Sequence, residues 1–230
     1  MAAIERPGSW LVYTSRSAYS AEVAEIIWRT DAEVAAFVDN LPDGPEPSPL
    51  ARVIGPQDLT DAERRLPTAI ALMTPGHRCA VEAEARSFGL DRFPALLDPT
   101  SVIARTAHFG EGTVVNAQSV VSARSTLGRF VHVNRSVSIG HDAELHDFVT
   151  LGPACVLAGY ITVESGAFIG AGAIIAPRVR IGRNATVGAG TVVVRDVPER
   201  AVVVGNPAKV LRTAEVGYDG VGVADDWFTP

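Results

Sequence analysis

Residues 166–198 read GAFIGAGAIIAPRVRIGRNATVGAGTVVVRDVP, and Ile169, Ile175, Ile181, Val187 and Val193 stand six apart in it. The same step runs back through Val163, Leu157, Leu151, Leu145, Ile139, Val133, Leu127, Val121, Val115 and Phe109 to Ile103, sixteen apolar positions without an insertion. Four residues after each comes a small or β-branched residue, from Ala107 and Thr113 through Cys155 and Ala173 to Val197. Glycine follows the apolar position directly at Gly110, Gly128, Gly140, Gly152, Gly170, Gly182 and Gly188. A helix of about 3.6 residues per turn cannot hold a period of six, and a flat strand of period two does not need the glycines. A parallel β-helix does: each hexad is a short strand and a corner, with the apolar residue inside and glycine tolerating the corner dihedrals. Three hexads make one coil, so the run forms about five coils, a stack roughly 25 Å tall at a strand spacing of ~4.8 Å. Cys155 falls in the inward phase and reads as core.

The chain has 230 residues, 47% hydrophobic, with a net charge of −6. That length allows one large domain or two modest ones. The acidic balance argues against nonspecific nucleic-acid binding, which needs a basic face. No apolar run approaches the ~20 residues that span a bilayer, and MAAIERPGSWLVY lacks the layout of a signal peptide. Two distant cysteines, Cys79 and Cys155, fit reduced thiols in a cytoplasmic protein.

The first 98 residues carry another pattern. SWLVYTS (9–15), EVAAFVDN (33–40) and PTAIALMT (67–74) read as strands. SAEVAEIIWRT (20–30) and Arg78 to Gly89 read as helices, and Thr60 to Glu63 opens a short capped one. DGPEPSP (43–49) is a loop. Strand–helix alternation implies a small parallel α/β sheet of Rossmann-like type, with ligands at the carboxyl ends of its strands. Those ends carry Thr14 to Tyr19, Asp39 and Asn40, and Thr74 to Arg78. The expected organisation is an α/β domain over 1–98, a β-helix over 99–212 and an acidic, glycine-rich tail over 213–230. In that tail Trp227 and Phe228 either dock on a neighbour or leave the tail mobile.

SIGHDAELHDF (138–148) holds His141 and His146 five apart, each followed by aspartate. A solvent-facing histidine on a β-helix corner is usually inert, yet His141 directly follows a corner glycine. One coil to either side are the small residues Ala123 and Gly159, which leave room for an acyl group.

An α/β domain ahead of an uninterrupted hexapeptide helix, together with VNRSVSIGHDAEL (133–145), the 166–198 stretch and VVVGNPAKVLR (202–212), resembles the bacterial sugar acyltransferases. Within that superfamily the chain is similar to the sialic acid O-acetyltransferase and UDP-amino-sugar N-acetyltransferase relatives, over nearly all of its length to about Arg212. The resemblance implies a left-handed β-helix, a homotrimer with sites between neighbouring helices, and acetyl-CoA as co-substrate. It implies that His141 is the general base, that Asp142 orients it, and that the Gly159 N–H faces the thioester oxygen. It also implies that Asn134 lies near the acceptor, that Ala171 and Ala189 line the pantetheine arm, and that Gly205, Asn206, Pro207, Ala208 and Lys209 form a loop near coenzyme A.

The chemistry suits those roles. Histidine takes a proton near neutral pH, a carboxylate partner fixes its tautomer, and an N–H can stabilise the tetrahedral oxyanion. Arg178, Arg180, Arg183, Arg195, Arg212 and Lys209, the only lysine, supply an expected basic rim for phosphates. Relatives carry a glycine-rich turn after the first strand. Here Thr14 to Ser20 holds no glycine, so Arg16 and the hydroxyls would grip phosphate and Asp39 would meet base or ribose. The acceptor is then a small amine or amino sugar, most readily a nucleotide-linked one, taken without nucleic acid, membrane or metal. Two rival readings remain: a gamma-class carbonic-anhydrase-like zinc site on His141 and His146, whose third histidine is missing from the phase of Gly128 and Gly110, and a non-catalytic trimeric scaffold. His108 and His132 read as corner residues facing elsewhere.

Overall fold

The computed structural model describes residues 8–14, 16–213 and 215–224. Strand β1 (Ser9–Tyr13) is buried from Trp10 to Tyr13, as an all-apolar WLVY run requires in a central strand. Helix α1 (Tyr19–Arg29) returns the chain to β2 (Glu33–Val38), burying Val23, Ala24, Ile26 and Ile27. After the Pro-rich loop comes β3 (Val53–Ile54), which two residues of strand were too short to announce by periodicity. β4 (Thr68–Ile70) and α2 (Pro75–Ser87) complete a parallel sheet in the order β3-β2-β1-β4. α2 begins three residues before the expected Arg78 because Pro75 is preorganised for a first helical turn and needs no N–H there. At 60–63 the cap appears as a reciprocal pair: the Glu63 carboxylate accepts from Thr60 N–H at 2.9 Å, and Thr60 Oγ1 accepts from Glu63 N–H at 3.3 Å.

From Leu96 the chain winds as a parallel β-helix whose ladders step by 18 residues, as in Ser138↔Val156↔Ile174 or His132↔Thr150↔Phe168. One continuous core runs up its axis from Val115 to Val203. Fully burying each such Val, Leu or Ile contributes roughly 1.5–3 kcal/mol. Only Ile103 and Phe109, at the open end of the stack, are half-buried. The small inward residues close the corners with side-chain hydrogen bonds: Ser119 Oγ to Asn134 O at 2.8 Å and Ser125 Oγ to Gly140 O at 2.9 Å.

The glycines act differently from the sequence expectation. Positive φ falls two residues later, every six residues from Gly112 through Gln118, Arg124, Phe130, Asp142 and Tyr160 to Gly190, mostly on non-glycine residues. Each such non-glycine costs about 1–2 kcal/mol in the left-handed region. An N–H bond to the coil below offsets that cost, as in Asp142 N–H to Ala123 O at 3.0 Å and Tyr160 N–H to His141 O at 3.0 Å. The glycine directly after the apolar residue answers to coil-to-coil contact instead. A Cβ on Gly140 would stand 2.5 Å from the Ala158 carbonyl carbon, and one on Gly170 2.5 Å from Ala189 N.

The prism has three faces. One carries His108, Thr126, Glu144, Thr162 and Arg180 outward and is polar. A second carries Val102, Val120, Ser138, Val156, Ile174 and Val192, of which Val102, Val120, Val156 and Ile174 are exposed. The third carries Leu96, Val114, His132, Thr150 and Phe168 and lies under the α/β sheet and the C-terminal segment. His132 is therefore a strand residue of the covered face rather than a corner residue; it is fully buried against Tyr19, and burial holds its imidazole well below the usual histidine pKa. His108 likewise sits in a strand, on the polar face.

Arg78 fastens the two parts together. It leaves α2 fully buried and donates to Phe130 O (2.8 Å), Phe148 O (2.9 Å), Thr150 Oγ1 (2.9 Å) and Leu72 O (2.6 Å). Burial lowers its pKa to about 9. The segment after Thr213 folds back over the covered face: Tyr218 stacks on Phe168 at 3.6 Å between centroids. Asn184 clamps both the N–H (2.9 Å) and the C=O (3.0 Å) of Val223. Trp227 and Phe228 lie outside the described residues.

Candidate active site

His141 projects from the edge between the apolar and polar faces and is half exposed. Its Nδ1 lies 2.6 Å from Asp142 Oδ2. An ionised carboxylate only accepts, so Nδ1 carries a proton, and in the neutral ring Nε2 is the nitrogen with the free lone pair. Asp142 is in turn gripped by Arg124, one coil below, through Nε to Oδ1 and Nη2 to Oδ2, both at 2.7 Å. Arg124 first and His141 second bring the Asp142 pKa down to about 2. On the coil above, Tyr160 presents its ring at right angles to His141, with centroids 5.0 Å apart, and Arg178 lies over Tyr160 at 5.2 Å. Gly159 is the near neighbour of the imidazole: a Cβ there would stand 2.8 Å from both Cε1 and Nε2. Its N–H has no acceptor among the described residues, a property it shares with the equivalent corner position His141.

The other expected groups occupy a different edge, between the covered and apolar faces. Asn134 is there, buried, its Oδ1 accepting from Arg135 N–H at 2.8 Å and its Nδ2 directed to Met73 Sδ at 3.8 Å. Two and three coils above it are Ala171 and Ala189, whose N–H groups have no acceptor among the described residues. The column is capped by the turn Gly205–Ala208 between the strands Val202–Val204 and Lys209–Arg212, with a cis peptide at Asn206–Pro207. Within one chain, His141, Asp142 and Gly159 thus share one edge, while Asn134, Ala171, Ala189 and Gly205 to Lys209 share the next. The apolar face separates them.

At the carboxyl ends of β1, β2 and β4 a pocket of about 400 Å³ is lined by Thr14, Arg16, Ser17, Asp39, Asn40 and His77 among others. Arg16 bonds Asp39 Oδ2 at 2.7 Å and lies 3.3 Å from Glu46. Burial pushes the Asp39 carboxyl up, but Arg16 and the N–H groups of Glu46 and Leu41 outweigh it and hold the pKa below the usual range. Tyr19 does not line this pocket. It opens α1 with its ring buried against His132, and burial raises its hydroxyl pKa to about 12.

Residues 160–195 match the model of the bacterial transferase hexapeptide (six repeats). PerB from Caulobacter crescentus, in complex with CoA and GDP-perosamine, matches with a TM-score of 0.81 and 30% identity, covering 89% of this chain and 98% of that one. The chain belongs to the hexapeptide-repeat sugar acyltransferases. Its prism is the left-handed parallel β-helix of that family. The acetyltransferase domain of PglB from Neisseria gonorrhoeae, in complex with acetyl coenzyme A, matches with a TM-score of 0.80 and 28% identity, over 89% of this chain and 100% of that one. A GDP-perosamine N-acetyltransferase from Escherichia coli O157:H7 is 34% identical over 71 residues, 31% of this chain and 32% of that protein. That match spans about a third of the relative. These relatives place the acyltransferase in the N-acetyltransferase branch of the family.

In this acyltransferase both thiols are buried, and burial raises Cys79 and Cys155 alike to a pKa of about 12, far from a working nucleophile. His146 Nε2 lies 3.3 Å from Glu144, and among the described residues no group of three His, Cys, Asp or Glu is placed to hold a metal. Of the expected basic rim, Arg180 pairs with Glu164 and Arg212 lies 3.5 Å from Glu215. The residues that sequence reasoning missed are Arg124 and Tyr160. Both are one coil from Asp142, so the step of 18 that located Gly159 also points to them.

Proposed function

We propose that this acyltransferase moves an acetyl group from acetyl-CoA to the amine of a nucleotide-linked amino sugar, in a site completed by a second copy of the chain. The observation that carries the reading is the Asp142–His141–Gly159 arrangement: an imidazole fixed through Nδ1, with Nε2 beside a glycine whose N–H is unengaged among the described residues. In the proposed step the amine attacks the thioester carbonyl carbon while Nε2 takes its proton. The oxygen charge of the tetrahedral intermediate rests on the Gly159 N–H, which stabilises it by about 3 kcal/mol. Collapse re-forms the carbonyl, giving the amide, and breaks the C–S bond, and coenzyme A leaves with the proton held on His141. No acyl-enzyme is required.

The character of the three faces supports the second copy. The α/β domain covers one face and polar residues occupy another, so the exposed valines and Ile174 are the surface left for self-association. Three copies turning that face to a common axis would bring the His141 edge of each against the Ala171–Ala189–Gly205 edge of the next. A homotrimer of this kind places coenzyme A between protomers, its pantetheine arm on unengaged N–H groups. The pocket at Arg16 is of nucleotide size. Free acetyl-CoA and nucleotide sugars are cytoplasmic metabolites, and the enzyme would work there. A thiol-release screen with acetyl-CoA against amino sugars, free and nucleotide-linked, tests the reading. Release with a nucleotide-linked amino sugar supports it, and release with no amino sugar of either kind would overturn it.

A further inference from the structure

We infer that Arg124 is a positioning residue for acetyl transfer, acting on His141 through Asp142; the inference rests on the reading of His141 as the base. Asp142 sits at φ 55° on a tight corner, and with His141 as its single partner its carboxylate could turn about that bond. Arg124 removes that freedom. Its planar fork takes Oδ1 and Oδ2 at 2.7 Å each, so the carboxylate plane is fixed by two parallel bonds. With the plane fixed, Oδ2 meets His141 Nδ1 at 2.6 Å and the imidazole is held with Nε2 toward Gly159. Arg124 is itself seated from below: its N–H donates to Thr106 Oγ1 at 3.0 Å, and its own φ is 59°. The three residues Thr106, Arg124 and Asp142 are one coil apart, so the β-helix repeat itself delivers the fork to the carboxylate.

The arrangement has an electrostatic side. The charged and titratable groups around the imidazole are Asp142 on its own corner, Tyr160 on the coil above, Arg178 over Tyr160, and Arg124 behind Asp142. Arg124 offsets the charge of the carboxylate, so removing Arg124 would leave Asp142 a stronger anion beside the ring. A base that is to be unprotonated before it acts needs a combination of firm orientation and weak charge stabilisation. A lone aspartate would supply both orientation and a stronger pull on the proton.

The test uses the full-length enzyme with Arg124→Gln and Arg124→Lys, together with His141→Gln. Arg124 is exposed, and an unchanged melting temperature confirms the fold of each variant. In Arg124→Gln the acid limb of the kcat/KM–pH profile should move up by about 0.5–1 unit. The His141 imidazole titration followed by NMR should move with it, and kcat should fall about tenfold. Arg124→Lys restores the charge but not the fork, so the limb should return while kcat recovers only in part. An acid limb and an imidazole titration both unmoved in Arg124→Gln would overturn the inference. If His141→Gln remains fully active, the base assignment fails whatever Arg124 does. If His141→Gln is inactive and Arg124→Gln matches the parent enzyme, only the role of Arg124 fails.

Discussion

Gly159 lies against the face of His141 so closely that a methyl group on it would stand 2.8 Å from Nε2. The absence of a side chain at 159 is therefore what lets the imidazole occupy its position and what leaves an N–H open beside it. Gly159→Ala should swing the ring away or push the coil apart. A displacement of the reacting group by ~1 Å costs on the order of 10²-fold in rate. We expect kcat to fall by about that factor with little change in melting temperature, read by thiol release and by thermal denaturation.

Arg78 makes a separate prediction, for stability. Its guanidinium supplies hydrogen bonds to carbonyls of both the β-helix and the β4–α2 connection, and among the described residues no carboxylate pairs with it. Arg78→Met would keep the volume and leave those buried carbonyls without donors. Charged hydrogen bonds of this kind contribute about 1.5–3 kcal/mol each net of exchange with water, and relief from burying the guanidinium charge offsets part of the loss. A loss of roughly 3 kcal/mol in unfolding free energy is expected, measured by urea denaturation.

The pH dependence has a defined sign. Arg124 first, and His141 after it, bring Asp142 to a pKa of about 2, below its ordinary 3.8. A carboxylate with a depressed folded pKa contributes its stabilisation fully above the ordinary value, and the contribution is lost as pH falls from there through about 2. Asp142 therefore stays ionised above pH 4, and its bonds to Arg124 and His141 should be lost only on acidification below that value. The melting temperature of the parent enzyme should fall there more steeply than that of Asp142→Asn, and parallel falls would show that the Asp142 carboxylate contributes nothing.

The apolar face predicts assembly. Val156 and Ile174 are exposed neighbours on it, one coil apart. The parent enzyme should sediment as the proposed trimer in analytical ultracentrifugation, and Val156→Asp together with Ile174→Asp should sediment as monomers. The double substitution should also lower acetyl transfer by at least about tenfold, because the His141 edge then lacks the Ala171–Ala189 edge of a neighbour.

Much of this was legible in the sequence because a β-helix writes its period directly. The apolar step from Ile103 to Val193 located the core, and the step of 18 placed Gly159 against His141. The corners were read less well. Positive φ sits on residues such as Gln118 and Phe148, where coil-to-coil N–H bonds override intrinsic preference, so composition alone could not mark them. Arg78 and Arg124 look like ordinary surface arginines in a chain with many, and only the three-dimensional fold shows what each one holds. The two residues of β3 and the docking of Tyr218 on Phe168 depend on contacts far apart in sequence, which no local pattern encodes.

The most direct measurement is the turnover of His141→Ala with acetyl-CoA and a nucleotide-linked amino sugar, beside its affinity for coenzyme A. Removal of the proposed base should lower kcat by about 10²–10⁴ while coenzyme A binding stays the same. A variant that turns over as fast as the parent enzyme would contradict the account.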